Sequence, residues 1–269
     1  MNYTLLDSGN GRKMEKFSDT VIVRPSGNAF WQPKLDKQIW DKADIFFSRK
    51  EENKWSFKKE VKDLKVEING LVFKLKFTDF GHLGVFPEHA FLWQFLQDRI
   101  RSKINILNLF AYTGGATMAC AKQGATVCHV DASKTSVAWA RENAELNNLI
   151  KAPIRWIVDD VFKFLKREKT RGHVYDGIIL DPPSFGRGSK QEIFKIERDI
   201  IYLLEMVRAV LSKSGFLVFS CHTPGFTPKI LENILIQVFG EKVRADELVI
   251  PSKTSYILPC GFYALWEGK

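Results

Sequence analysis

From about residue 100 onward, short apolar runs alternate with longer amphipathic stretches. "INILNLF" (104–110), "ATVCHVD" (125–131), "PIRWIVDD" (153–160), "YDGIILD" (175–181) and "FLVFSC" (216–221) read as strands. The intervening "TMACAKQG", "SKTSVAWARENAELNN", "VFKFLKREK" and "TPKILENILIQVFG" read as helices, the second capped by Ser133. "EIFKIERDIIYLLEMVRAVLSKSG" is expected to be one long helix stopped by Gly215. The tail from Val243 to Gly268 reads as two strands joined by a short turn. Alternation of this kind predicts an α/β fold with a seven-stranded, mostly parallel, doubly wound sheet. The terminal pair must be antiparallel, because a few turn residues cannot make a parallel crossover.

The first 80 or so residues follow a different rhythm. "DTVIVRP", "LKVEING" and "LVFKLKF" are β-like, with turn signals at Ser26-Gly27-Asn28 and Asn69-Gly70. The expected division is a small β-rich region over 1–78, open to a role in substrate recognition, and the α/β domain over 79–269. Trp31, Trp40 and Trp55 in the first part are read as packing residues. No repeats or low-complexity segments interrupt the pattern.

Composition narrows the classes. A chain of 269 residues with 45% hydrophobic content can bury a sizeable core. Nothing in it resembles a signal peptide or a bilayer-spanning stretch, so a soluble cytoplasmic protein is expected. The four cysteines, Cys120, Cys128, Cys221 and Cys260, have no zinc-like spacing, and no metal is expected. The net charge of +9 favours a polyanionic partner. Basic residues gather at Lys163, Lys166, Arg167, Lys169 and Arg171, then at Arg187, Lys190, Lys195 and Arg198. That pattern fits either a solvated helix face or a nucleic-acid patch.

Chemistry concentrates at the carboxyl ends of the strands, where open parallel sheets hold ligands. The first strand ends in Asn108-Leu-Phe-Ala-Tyr-Thr-Gly-Gly, whose glycines permit close backbone approach without forming a G-x-G-x-x-G cradle. Asp131 closes the second strand, placed to accept two ribose hydroxyls. Asp159 and Asp160 close the third, and Asp160 is the better candidate for an adenine amino group if Phe162 packs along the ring. The fourth ends in "LDPPSFGRG" (180–188), whose prolines end the strand and stiffen a rim carrying Asp181 and Phe185. Together these ends describe a nucleoside site with a fourth end facing the reactive portion. A nicotinamide enzyme would share the first two elements but would not explain Asp181-Pro182-Pro183.

"NLFAYTGGA", "HVDAS", "DDVFKFL" and "LDPPSFGRG", in this order and spacing, resemble class I S-adenosylmethionine-dependent methyltransferases. More narrowly they resemble the group related to bacterial 23S rRNA cytosine-C5 methyltransferases, as do "FTDFGHLGVFPEHAFLW" (77–93) and the closing "LPCGFYALWEG". The resemblance implies the Rossmann-like sheet of that class, S-adenosyl-L-methionine as cofactor, and an RNA substrate in the bacterial cytoplasm. It implies that Asn108, Phe110, Tyr112, Thr113 and Gly114 line the methionine moiety. By the same resemblance, Asp131 with Ala132 holds the ribose, Asp160 with Val161 the adenine, and Asp181 and Pro182 lie beside the methyl group. Two departures stand out. Asn108 occupies a position that is acidic in many relatives, so Glu88 is a candidate for the methionine amino group. Residues 1–76 do not show the PUA module that many rRNA members carry.

Methyl transfer asks the protein mainly for alignment and exclusion of water. Pro183, Phe185 and Arg187 are the candidate substrate contacts, with Phe185 able to stack on a flipped base. Carbon 5 of cytosine is not nucleophilic unaided and needs a thiolate at C6. Cys221, at the end of the fifth strand, is the cysteine placed for that role, with core packing as the alternative. His222, one residue on, is expected to face away and receives no role. Methylation of a nitrogen in a base, protein or small molecule would need no thiol. A non-catalytic binding module is the remaining alternative.

Overall fold

The computed structural model describes residues 2–49, 53–101, 103–187 and 193–268, with only the backbone of Arg187 included. The chain divides into two compact units, Met1–Ala90 with Val249–Cys260 and Phe91–Leu248 with Gly261–Lys269.

The first unit is built from short, alternating strands: β1 (Tyr3–Gly9), β2 (Arg12–Phe17), β3 (Thr20–Pro25), then a single helical turn α1 (Lys37–Trp40), β4 (Ile45–Ser48) and β5 (Lys54–Phe57). They form one sheet in that order, antiparallel except where β3 meets β4. A hairpin of β6 (Lys65–Ile68) and β7 (Leu71–Lys74) turns at Asn69-Gly70, as the dipeptide predicts. Val66, Ile68, Leu71 and Phe73 point inward from it. The three tryptophans are structural: each buries much of its ring and donates its indole N–H internally, Trp31 to the Ser8 carbonyl, Trp40 to Asp7 and Trp55 to the Thr78 carbonyl. Glu15 is wholly buried and accepts from Tyr3 Oη at 2.9 Å and Arg24 Nε at 2.8 Å, with Lys13 Nζ 3.1 Å away.

The second unit carries the expected alternation. Its elements are α2 (Ala90–Arg99), β8 (Asn105–Leu109), α3 (Gly115–Ala121), β9 (Thr126–Asp131), α4 (Lys134–Leu146), β10 (Ile154–Val158), α5 (Val161–Thr170) and β11 (Tyr175–Leu180). There follow β12 (Phe185–Arg187), β13 (Ile193–Lys195), α6 (Ile196–Arg208), β14 (Leu211–Cys221), α7 (Pro228–Phe239), β15 (Val243–Pro251) and β16 (Ile257–Glu267), of which Val249–Pro251 and Ile257–Cys260 belong to the first unit. Seven strands make the sheet β10-β9-β8-β11-β14-β16-β15, parallel from β10 to β14, with β16 antiparallel to β14. Strand order reverses between β8 and β11, so the two halves of the sheet part company at their carboxyl ends there.

Both faces are covered, and successive residues of one strand enter different cores. Leu107, Ile178, Leu180, Leu217 and Phe219 pack with Phe164, Leu203 and Leu231 from α5, α6 and α7. Ile106, Ile179, Phe216 and Val218 pack on the other side with Leu92, Leu96 and Cys120. Each such side chain contributes about 1.5–3 kcal/mol by leaving water. This is why the strands read as continuous apolar runs.

The helix expected up to Gly215 is shorter than its sequence pattern. α6 ends at Arg208, and Leu211–Gly215 instead lead into β14. Tyr175 pairs with Leu211 and Gly177 with Phe216, so a bulge absorbs the extra residues. Val207, Val210 and Leu211 keep a helical spacing of apolar residues across the junction, which hides the boundary. The start also differs: Ile193–Lys195 pair antiparallel with Phe185–Arg187 as a small hairpin.

Candidate active site

The turn from β8 into α3 is backbone held in an unusual shape. Phe110 (φ 55°), Tyr112 (φ 47°) and Gly114 (φ 87°) are left-handed, and a non-glycine residue there costs on the order of 1 kcal/mol or more. The neighbourhood enforces it. Ala111 N–H donates to Val130 at 3.1 Å, Tyr112 N–H to Asp131 Oδ2 at 2.8 Å, and Asn143 Nδ2 to the Thr113 carbonyl at 3.0 Å. Gly114 meets the expectation of a residue that must be left-handed. A Cβ on Gly115 would lie 2.5 Å from the Trp93 ring, so its bareness accommodates that indole. Asn108 is buried and donates from Nδ2 to Thr117 Oγ1 at 2.9 Å, which in turn meets His129 Nδ1 at 2.9 Å. Burial pushes the His129 pKa down to about 3, so this inner chain is neutral.

Asp131 lies at the carboxyl end of β9, half-buried. Each of its oxygens is engaged by one backbone N–H: Oδ2 by Tyr112 and Oδ1 by Ser133, both at 2.8 Å. Burial raises its pKa, and these two donors only partly offset that. Ser133 caps α4 by accepting from Ser136 N–H at 3.1 Å, as expected, so Asp131 is not spent as a helix cap. Ala132 beside it is exposed.

The third strand end divides its two acids. Asp160 caps α5, its Oδ1 accepting from Lys163 N–H at 3.0 Å, with Val161 buried as the first helical residue. Asp159 pairs with Arg167. Phe162 stacks on Tyr202 with ring planes 10° apart at 5.8 Å and lies 6.1 Å from Phe194, which is itself 5.8 Å from Phe110. The side chain expected to run along a purine is thus one of four aromatics forming a wall.

At the fourth end, Asp181 is half-buried and Pro182 buried, while Pro183 and Phe185 are exposed. Asp181 Oδ1 accepts from Ser220 Oγ at 2.8 Å, and His222 Nε2 stands 3.6 Å from the same oxygen. Ser184 Oγ meets Thr223 Oγ1 at 2.8 Å, tying the loop after β11 to the loop after β14. His222 was expected to face away. β14 ends at Cys221, so strand alternation no longer governs its direction, and Gly261 leaves room for its ring: a Cβ there would sit 2.6 Å from Nδ1. Cys221, expected as a nucleophile, has no exposed surface and lies in the core with Leu217 and Phe219, one face away from Ser220. Burial pushes its thiol pKa up, opposing the thiolate that attack requires.

Glu88 belongs to the first unit, in the short turn Pro87–His89, where it is buried and its Oε2 has no hydrogen-bond partner among the described residues. The side chain of Arg187 and all of Lys190 fall outside the described residues. Of the other basic residues, Arg167, Arg171 and Arg198 are paired with Asp159, Glu168 and Asp199.

Residues 47–239 match the family model of S-adenosylmethionine-dependent methyltransferases. A crystal structure of a SAM-dependent methyltransferase from Agrobacterium tumefaciens is 35% identical, with a TM-score of 0.96 over 100% of this chain and 91% of that one. The chain is an S-adenosylmethionine-dependent methyltransferase. A ribosomal RNA large subunit methyltransferase K/L from Pseudoalteromonas translucida is 36% identical over 170 residues, 62% of this chain and 24% of the relative. The chain therefore spans about a quarter of the length of that relative. A methyltransferase-fold chain solved in complex with SAH, 22% identical, superposes with a TM-score of 0.79 over 98% of this chain and 75% of that one, a likeness of fold.

The residues present fit the methyltransferase's cofactor. Asp131 is a partly desolvated carboxylate held by two neutral backbone donors, which suits ribose hydroxyls as further donors. When bound, S-adenosylmethionine supplies a methyl group already activated on a sulfonium. The chain's own residues would do the rest: Asp131 would orient the sugar, the 110–114 turn would shape the wall, and Asp181 with its prolines would border the acceptor side.

Proposed function

We propose that this methyltransferase acts on RNA in the cytoplasm, with the cofactor's ribose on Asp131, its adenine beside Asp160 and Val161, and the acceptor presented at Asp181-Pro182-Pro183. The likeness to a relative named for methylating large-subunit ribosomal RNA supports the substrate class. The net charge of +9 suits a polyanion. Exposed Phe185 offers a stacking surface for an unpaired base, worth about 1–3 kcal/mol.

The single observation that favours a nitrogen acceptor over carbon 5 of cytosine is the burial of Cys221. A cytosine-C5 reaction needs its thiolate at the base, and the thiol is sealed in the core with a raised pKa. A ring or exocyclic nitrogen needs no covalent attack. Asp181 can accept the N–H of such a nitrogen while Pro182 and Pro183 exclude water beside it.

Incubation of total RNA with tritiated-methyl cofactor, followed by nucleoside mass spectrometry, tests the proposal. Methylated nitrogen in an RNA base, with turnover kept in Cys221→Ala, is the expected outcome. Trapping of 5-fluorocytosine RNA, or loss of turnover in a folded Cys221→Ala that still binds cofactor, restores the cytosine-C5 reading. Label in protein alone removes RNA as the substrate.

A further inference from the structure

Two side chains meet one oxygen of Asp181, and a glycine makes room for one of them. Ser220 Oγ donates to Oδ1 at 2.8 Å, His222 Nε2 approaches the same atom at 3.6 Å, and Gly261 keeps open the space that the imidazole fills. Ser220 is buried and the His222 side chain is only 31% exposed, so both are set by packing. β14 ends between them, at Cys221. The Ser184–Thr223 contact ties the loop that carries Asp181 to the loop that follows His222.

We propose that His222 is a positioning residue of the methyl transfer: its ring stands against the Asp181 oxygen that Ser220 holds and sets the plane of that carboxylate toward the acceptor. This rests on the reading of Asp181 as the acceptor-facing acid and assigns its orientation to a residue outside the Asp-Pro-Pro segment. The Ser220 hydroxyl and the His222 ring meet the same oxygen from the end of β14, and together they narrow the rotation of the carboxylate about its Cβ–Cγ bond. A misplacement of about 1 Å at a reacting centre can cost on the order of 100-fold in rate.

The experiment is a double-mutant cycle in the full chain with Asp181→Asn, His222→Ala and the pair, read together with the His222 imidazole titration by NMR. His222→Ala is expected to lower kcat by about 10- to 100-fold with cofactor affinity and RNA KM unchanged. His222→Gln, which keeps a donor within reach, is expected to restore part of it. The double variant should be no slower than Asp181→Asn, because His222 acts through that carboxylate. Asp181→Asn should also lower the His222 pKa in the cofactor-free protein, since a neighbouring anion is lost. Additive losses, or an unmoved His222 titration, overturn the proposal. An Asp181→Asn variant with full kcat would instead overturn the acceptor role of Asp181, and that outcome is distinct because it does not depend on His222. If His222→Ala fails to fold, His222→Gln and the titration in Asp181→Asn carry the same decision.

Discussion

The two edges of the large sheet handle a buried carboxylate in opposite ways. At the amino edge, Glu168 is wholly buried and saturated: Tyr175 Oη at 2.5 Å, His173 Nδ1 at 2.8 Å, Arg171 at 3.4 Å and Arg155 at 3.9 Å. Burial alone would raise its pKa, but the tyrosine and histidine contacts outweigh it and the value is lowered. At the carboxyl edge, Asp131 has two backbone amides, and burial wins, so its value is raised. An acid whose needs are met by its own fold is a staple. An acid left under-compensated is a place for a ligand to complete.

The largest expected effect lies at the carboxyl edge. Asp131→Ala should weaken cofactor binding by about 3 kcal/mol, roughly 100-fold in Kd, because charge-assisted hydrogen bonds are lost. Calorimetry reads this directly, and urea unfolding should show a much smaller change in stability. Unchanged affinity would end the proposed ribose role.

Glu168→Ala should give the reverse profile. Tyr175 and His173 lose their buried acceptor, for a stability loss of about 2–3 kcal/mol, while cofactor Kd stays put. Its pH signature follows from linkage. A carboxylate with a lowered folded pKa contributes stability above its unfolded value of about 4.3 and loses it as pH falls through the folded value. Asp131, with a raised pKa, has the opposite sign: its contribution is present below the unfolded value and lost as pH rises through the folded one. Unfolding curves of the Glu168→Gln protein between pH 3 and about 6 should therefore lose part of the acid-side slope. Asp131→Asn should steepen it slightly.

The smallest expected effect is at the turn. Gly114→Ala places a Cβ on a left-handed residue and 3.1 Å from Ala140 Cβ, for about 1–2 kcal/mol of stability. Thermal unfolding should show a modest drop in Tm. Affinity should fall only if the 110–114 turn shifts.

What the sequence revealed depended on whether one local rule governed the residue. Strand ends at Asn108, Asp131, Asp160 and Asp181 were legible because apolar runs stop there, and Ser133 announced its cap. The β12–β13 hairpin was not legible, because "EIFK" continues a helical pattern into α6. The sequence left Cys221 open between nucleophile and core thiol and turned His222 the wrong way for one shared reason. Period-2 alternation says which residues share a face but not which face is the core, and it says nothing past the residue where β14 stops. Only tertiary packing, with Phe219 and Cys221 inward and Gly261 making room, settles the pair.

The clamp at Asp131 is finished before any nucleoside arrives, since Tyr112 and Ser133 already hold both its oxygens in place. On the proposed reading, it grips a portion of the cofactor that the reaction never alters. The spent thioether and the fresh sulfonium present the same sugar to it, so this end of the cleft has no means of telling them apart. On that reading the product competes with fresh cofactor for the same carboxylate, and removal of the thioether relieves the competition.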